Sequence, residues 1–222
     1  MKKLLIVALA IMPLGTMAQS EWELPENPTT ETQKEKQKKQ KTAATVNKSK
    51  KNEIKKIDPR YAAGAVPEVN GKVQWDTTII VPGISADELY DRTLKTIKAL
   101  ATDSVQSVNS RIAAVNKREH IIAARFDEEM VFSASFISKD YTQFRYTLIA
   151  NCYDGCVNLK LCRISYEYRT NKTEIYTAED WITDSNAINK KGSKLYPLSG
   201  KFRKKTIDRV EDIFKYISKI KQ

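Results

Sequence analysis

Three cysteines, one histidine and two short runs of acids carry the residue types that could do chemistry in this chain. Cys152, Cys156 and Cys162 fall in one stretch, and Cys152-Tyr153-Asp154-Gly155-Cys156 reads as a hairpin turn. A two-residue loop, Asp154-Gly155, sets Tyr153 opposite Cys156 and sends the two cysteines to opposite sheet faces. A three-residue loop with Gly155 in the left-handed position instead sets Cys152 opposite Cys156 and permits a disulfide. Cys162 lies roughly 17 to 20 Å along the strand and joins neither. The spacing C-x3-C-x5-C with His120 as the single histidine does not supply the four converging ligands of a zinc site. Buried, inert thiols are the expectation, with no metal and no cofactor.

A cysteine nucleophile would need a base such as His120 beside it. A serine triad has no footing, because Gly-x-Ser-x-Gly does not occur and His120 reads as an ordinary strand residue. Asp127-Glu128-Glu129 and Glu179-Asp180 are paired acids of the kind that hold a cation or divide acid and base roles. Turn solvation explains the first group and helix capping the second, so no catalytic residue is expected. The remaining candidate is a binding surface. Tyr166, Tyr168, Trp181 and Tyr196, together with Arg203, border an irregular stretch and could line a groove that grips a peptide or glycan. The competing reading is that they fill the space between sheet and helices.

The elements that must position these residues follow from periodicity. Gly71 opens a strand with Val73, Trp75, Thr77, Ile79 and Val81 on one face, ended by Pro82-Gly83. Ser85-Ala86-Asp87-Glu88 is a capping box, and Leu89, Thr93, Ile97 and Leu100 form the stripe of the helix it starts. From residue 111 the period becomes alternating. Residues 111–116 and 119–126 predict a hairpin turning at Lys117-Arg118, and the three acids a turn into a strand over 130–137. Strands over 143–152 and 157–168 follow, the last with a phase switch near Cys162 that implies a bulge. Residues 169–200 read as irregular, with a short helix capped at Thr177, and 204–221 as an amphipathic helix. The fold class is therefore α+β: a curved antiparallel sheet of five or six strands with two helices on one face.

Outside this body, Lys2 and Lys3, an apolar run over 4–12 and a small-residue site ending at Ala18 make the pattern of a cleaved signal peptide. That address predicts export to the periplasm or cell exterior, with a mature chain starting at Gln19. Residues 19–56 are poor in apolar side chains, and residues 31–56 hold ten lysines and three glutamates. Such a composition predicts a disordered lysine-rich tether, open to weak contact with anionic surfaces. Residues 57–222 are then one domain, only mildly basic, and nucleic acid is not expected as a partner.

Several stretches carry a resemblance. These are Tyr61-Ala-Ala-Gly-Ala-Val-Pro, Val81-Pro82-Gly83, Glu179-Asp180-Trp181-Ile182-Thr183-Asp184, Asn189-Lys190-Lys191-Gly192 and Lys201-Phe202-Arg203-Lys204-Lys205-Thr206-Ile207-Asp208. With the element order, they resemble a bacterial exported family of unknown function with a TATA-binding-protein-like fold. That resemblance implies a curved sheet with two helices on one face and brings no active-site residues. Three functions stay open. The leading one is a non-catalytic module, expected to be monomeric, that binds an envelope protein or glycan on its sheet face or irregular loop. The others are a metal-dependent hydrolase-like enzyme using Glu179 or Asp180, and an anionic-polymer binder acting through residues 34–56.

Overall fold

The computed structural model describes residues 57–169 and 172–221, so the expected signal peptide and tether lie outside the described residues. Pro59 opens a 3-10 turn, Pro59–Tyr61, where its missing amide costs nothing, and Asp58 accepts from the Arg60 amide at 3.0 Å. The short strand β1 (Glu68–Val69) turns through Asn70 and Gly71, both at positive φ, into β2 (Lys72–Ile80). Ser85 then caps α1 (Ala86–Ala101), its hydroxyl oxygen accepting from the Glu88 amide at 3.3 Å. Leu89, Thr93, Ile97 and Leu100 are buried along the predicted stripe.

Next come β3 (Arg111–Asn116), β4 (Ile121–Ala134), β5 (Lys139–Tyr153), β6 (Cys156–Arg169) and β7 (Thr173–Thr177). Two one-turn helices, α2 (Ala178–Trp181) and α3 (Asp184–Ala187), lead to α4 (Pro197–Ile217) and a final 3-10 turn, Ser218–Lys221. The strands form one antiparallel sheet in the order β1-β2-β6-β5-β4-β3, with β7 also on β6. Seven strands replace the expected five or six: the two-residue β1 and the short β7 are additions, and the strands expected over 119–126 and 130–137 are one, β4.

The bulge expected near Cys162 is present at Arg163, whose φ is +55°, between the pairs Arg145↔Ser165 and Thr147↔Cys162. It changes the neighbour of β6. Before it, Cys156 to Cys162 pair with β2; after it, Ser165 to Arg169 pair with β7. β5 begins at Lys139, four residues before the expected 143, and other boundaries differ as well. Asp127 to Glu129 do not turn: β4 runs through them in register with β5. The last helix begins at Pro197, seven residues early, with proline at the first helical position where its shape fits.

Both long helices lie on one face. Leu89 and Ile97 of α1 and Phe202, Val210 and Ile213 of α4 close over Ile122, Phe126, Leu148, Leu159 and Leu161. Each fully buried side chain of this kind stabilises the fold by about 1.5 to 3 kcal/mol. No helix among the described residues covers the opposite face, where Asp76, Thr78, Arg125 and Asn158 are exposed. None of these helices is long and apolar enough to cross a membrane.

Candidate binding surface

The five residues expected to line a groove separate into core and surface. Tyr166 is fully buried, with its hydroxyl 2.8 Å from that of Thr206, and burial pushes its phenol well up. Arg203 is also 0% exposed. Its guanidinium donates to the carbonyls of Tyr61 (2.8 Å), Ile182 (2.7 Å) and Ala62 (2.5 Å) and to Asp184 Oδ1 (2.7 Å). One side chain thus fastens the lead-in, the α2–α3 link and α4 together. Neither residue can meet a ligand, which corrects the expected surface at these two positions. Tyr166 has the parity of the covered face, and Arg203 answers carbonyls that would otherwise be buried without donors.

Tyr168 and Trp181 are half-buried. The Tyr168 hydroxyl donates to Asp140 Oδ1 at 2.8 Å and accepts from Lys201 Nζ at 2.9 Å. Lys201 Nζ sits 4.5 Å from the Phe132 ring centre and 4.7 Å from that of Tyr168, and donates to Asp140 Oδ2 at 2.6 Å. Burial pulls its pKa down, but Asp140 and Tyr168 outweigh that and leave it raised. Trp181 stacks on Tyr176 at 4.0 Å and meets Phe202 edge-on at 5.8 Å. Of the five, Tyr196 alone stands out into solvent, at the start of α4.

The acids have structural partners. Glu128 points into the covered face, where Arg209 grips both its oxygens at 2.6 and 2.7 Å and Gln106 donates to it as well. Burial opposes the charge of Arg209, yet the bond to Glu128 raises its pKa on balance. Beside this pair is a cleft of about 390 Å³ that also touches Met130, Lys205 and Asp212. Asp127 faces the other way, accepting from Arg145 Nε at 3.3 Å, and Glu129 pairs with Lys139. Glu179 accepts the Val73 amide at 2.9 Å, and Asp180 closes the α2 cap with Thr177. No three His, Cys, Asp or Glu side chains converge on a metal position among the described residues.

Tyr153 pairs with Cys156 in a two-residue turn, Gly155 having φ +77°, so Cys152 and Cys156 take opposite faces and remain free thiols. Burial pushes Cys152 up to about 11 and raises Cys162, so both are held as thiols. His120 is not a strand residue. It ends the β3–β4 turn at φ +52°, with Nε2 3.0 Å from Asp87 Oδ1.

The helix-free face carries no local signal in the sequence. Register aligns Thr78, Asn158 and Asn151 in one cross-strand row and Asp76, Lys160 and Ile149 in the next. Tyr153, half exposed, stands at the end of the same face. Thr78 Oγ1 donates to Asn158 Oδ1 at 2.9 Å, and Lys160 Nζ lies 4.0 Å from Asp76. Asp76, Thr78, Asn151, Asn158 and Lys160 line a depression of about 520 Å³, whose walls are thus amides, a hydroxyl, a carboxylate and an ammonium. Further along, Arg145 donates to Glu167 at 2.6 Å, and that bond, with Arg169, holds the Glu167 carboxyl below its ordinary range.

Residues 75–167, which supply most of this face, match the model of a domain of unknown function (DUF4468) with TBP-like fold. A DUF4468 family protein from Bacteroides ovatus, solved as a crystal structure, is 36% identical, with a TM-score of 0.70. The match covers 75% of this chain and 96% of that one. This chain belongs to the DUF4468 family. A TBP-like protein from Parabacteroides distasonis, 24% identical over 71% of this chain and 97% of that one, has the same fold, with a TM-score of 0.59. No curated protein matches. Family membership supplies the architecture and no activity, since function lives in sites rather than scaffolds.

Proposed function

We propose that this DUF4468 protein is an exported, non-catalytic binding module that holds an envelope component on its helix-free sheet face. One observation carries the reading: the row Thr78-Asn158-Asn151 and the neighbouring pair Asp76-Lys160 present hydrogen-bonding groups to solvent with no helix over them. Asp76 balances Lys160, which favours a neutral, polar ligand over a polyanion, whose recognition needs surplus cations. The non-catalytic reading draws support from thiols raised by burial and from acids engaged in ion pairs and caps. Export rests on the pattern of residues 1–18.

The test is affinity capture from envelope extract on the immobilised full chain, beside a Thr78→Ala, Asn158→Ala, Lys160→Ala variant. The reading expects the captured component to fall at least tenfold with the melting temperature unchanged. Undiminished capture by the folded variant would refute it.

A further inference from the structure

We infer that the end of the domain built from the β4–β5 turn and the start of α4 docks onto an anionic lipid bilayer. Phe136 and Ile137, adjacent at the tip of that turn, are fully exposed. The turn is closed by two hydrogen bonds between its ends. The Ser135 amide donates to the Ser138 carbonyl at 2.8 Å, and the Ser135 hydroxyl accepts from the Ser138 amide at 3.1 Å. Two large apolar side chains are therefore held outward on a firm support, which a surface facing only water avoids.

The start of α4 reaches the same end. Arg209 of α4 meets Glu128 of β4, and Phe202 meets Phe132 at 4.5 Å, so the helix runs back along the strand toward the tip as its residue numbers fall. One turn before Phe202 stands Leu198, and just ahead of the helix Tyr196, both exposed. An aromatic side chain with a polar tip beside aliphatic ones is the composition of a membrane-interface contact.

Charge completes the match. Residues 185–207 contain seven lysines and arginines and no acid. Arg203 and Lys201 are engaged internally with Asp184 and Asp140. Lys190, Lys191 and Lys194, in the turn that precedes α4, and Lys204 and Lys205 on the helix are exposed. Apolar points at Tyr196 and Leu198, close in sequence to Lys190, Lys191 and Lys194, which form no salt bridge among the described residues, fit anionic headgroups over an acyl boundary. A convex tip favours a deformable lipid surface over a protein, which would need a cavity shaped to receive it. The backbone amides of Phe136 and Ile137 confine insertion to the interface, because hydrocarbon cannot satisfy them. This surface is separate from the open sheet face.

The mature chain, residues 19–222, is tested with bicelles of phosphatidylglycerol and phosphatidylcholine, against phosphatidylcholine alone, carrying a nitroxide lipid. Paramagnetic broadening of the Phe136, Ile137 and Leu198 amide signals is expected only with phosphatidylglycerol. Phe136→Ser with Ile137→Ser, and separately Lys190→Glu with Lys191→Glu, should each weaken vesicle co-sedimentation at least tenfold without shifting the melting temperature. The inference fails if these signals stay sharp, as they would if residues 31–56 alone bound lipid or if the tip fits a protein groove. It fails equally if phosphatidylcholine alone broadens them as much, or if both variants sediment like the wild type.

Discussion

The two faces of the sheet invert what their residue types suggest. The covered face holds the groups usually assigned to recognition, an arginine and edge-on aromatics, and uses them to close the core. Around its depression the open face holds amides, a threonine and one opposed charge pair, and leaves them to solvent. The difference teaches that position in the alternation outranks chemical character: Tyr166 and Asn158 lie on one strand, and only parity and the bulge at Arg163 decide which of them a ligand can touch.

Substitutions on the covered face should break this contrast most visibly. Arg203→Met leaves three carbonyls without their donor, and denaturant titration should show a loss of about 3 to 5 kcal/mol. Glu128→Ala strands the Arg209 guanidinium against the sheet and should cost about 3 kcal/mol, with much of it recovered when Arg209→Met is added. Tyr166→Phe removes one buried hydroxyl contact with Thr206, so the same titration should read about 1 kcal/mol.

On the open face the effects shrink and become conditional. Glu167 is depressed by Arg145 and Arg169, so its contribution is present above the ordinary carboxylate pKa and is lost as pH falls through its lower folded value. Glu167→Gln should therefore flatten the acid limb of a stability-against-pH curve while leaving the neutral arm's shape alone. Asn158→Ala, by contrast, should move stability by no more than about 0.5 kcal/mol, checked by thermal melting.

Local signals in the sequence were enough wherever the physics is local. The Ser85 cap, the α1 stripe, the Thr177 cap and the phase switch before Ile164 all depend on neighbours within a few residues. The run Asp127-Glu128-Glu129 misled because the partner that makes a buried Glu128 tolerable, Arg209, is 81 residues away. The start of α4 was hidden by Gly200, which resembles a breaker. Its glycine instead allows close packing, since a Cβ there would lie 2.7 Å from that of Leu195. Aromatic content near 166–203 carried no information about which side of the sheet those rings occupy, so core and groove could not be separated from composition.

Site-specific photo-crosslinking addresses the binding claim most directly. A photoreactive side chain replacing Asn158 on the open face should yield a discrete adduct with an envelope component, and one replacing Lys98 on the exposed side of α1 should yield none. An adduct from position 98 with nothing from position 158 would contradict the assignment of the sheet face as the ligand surface.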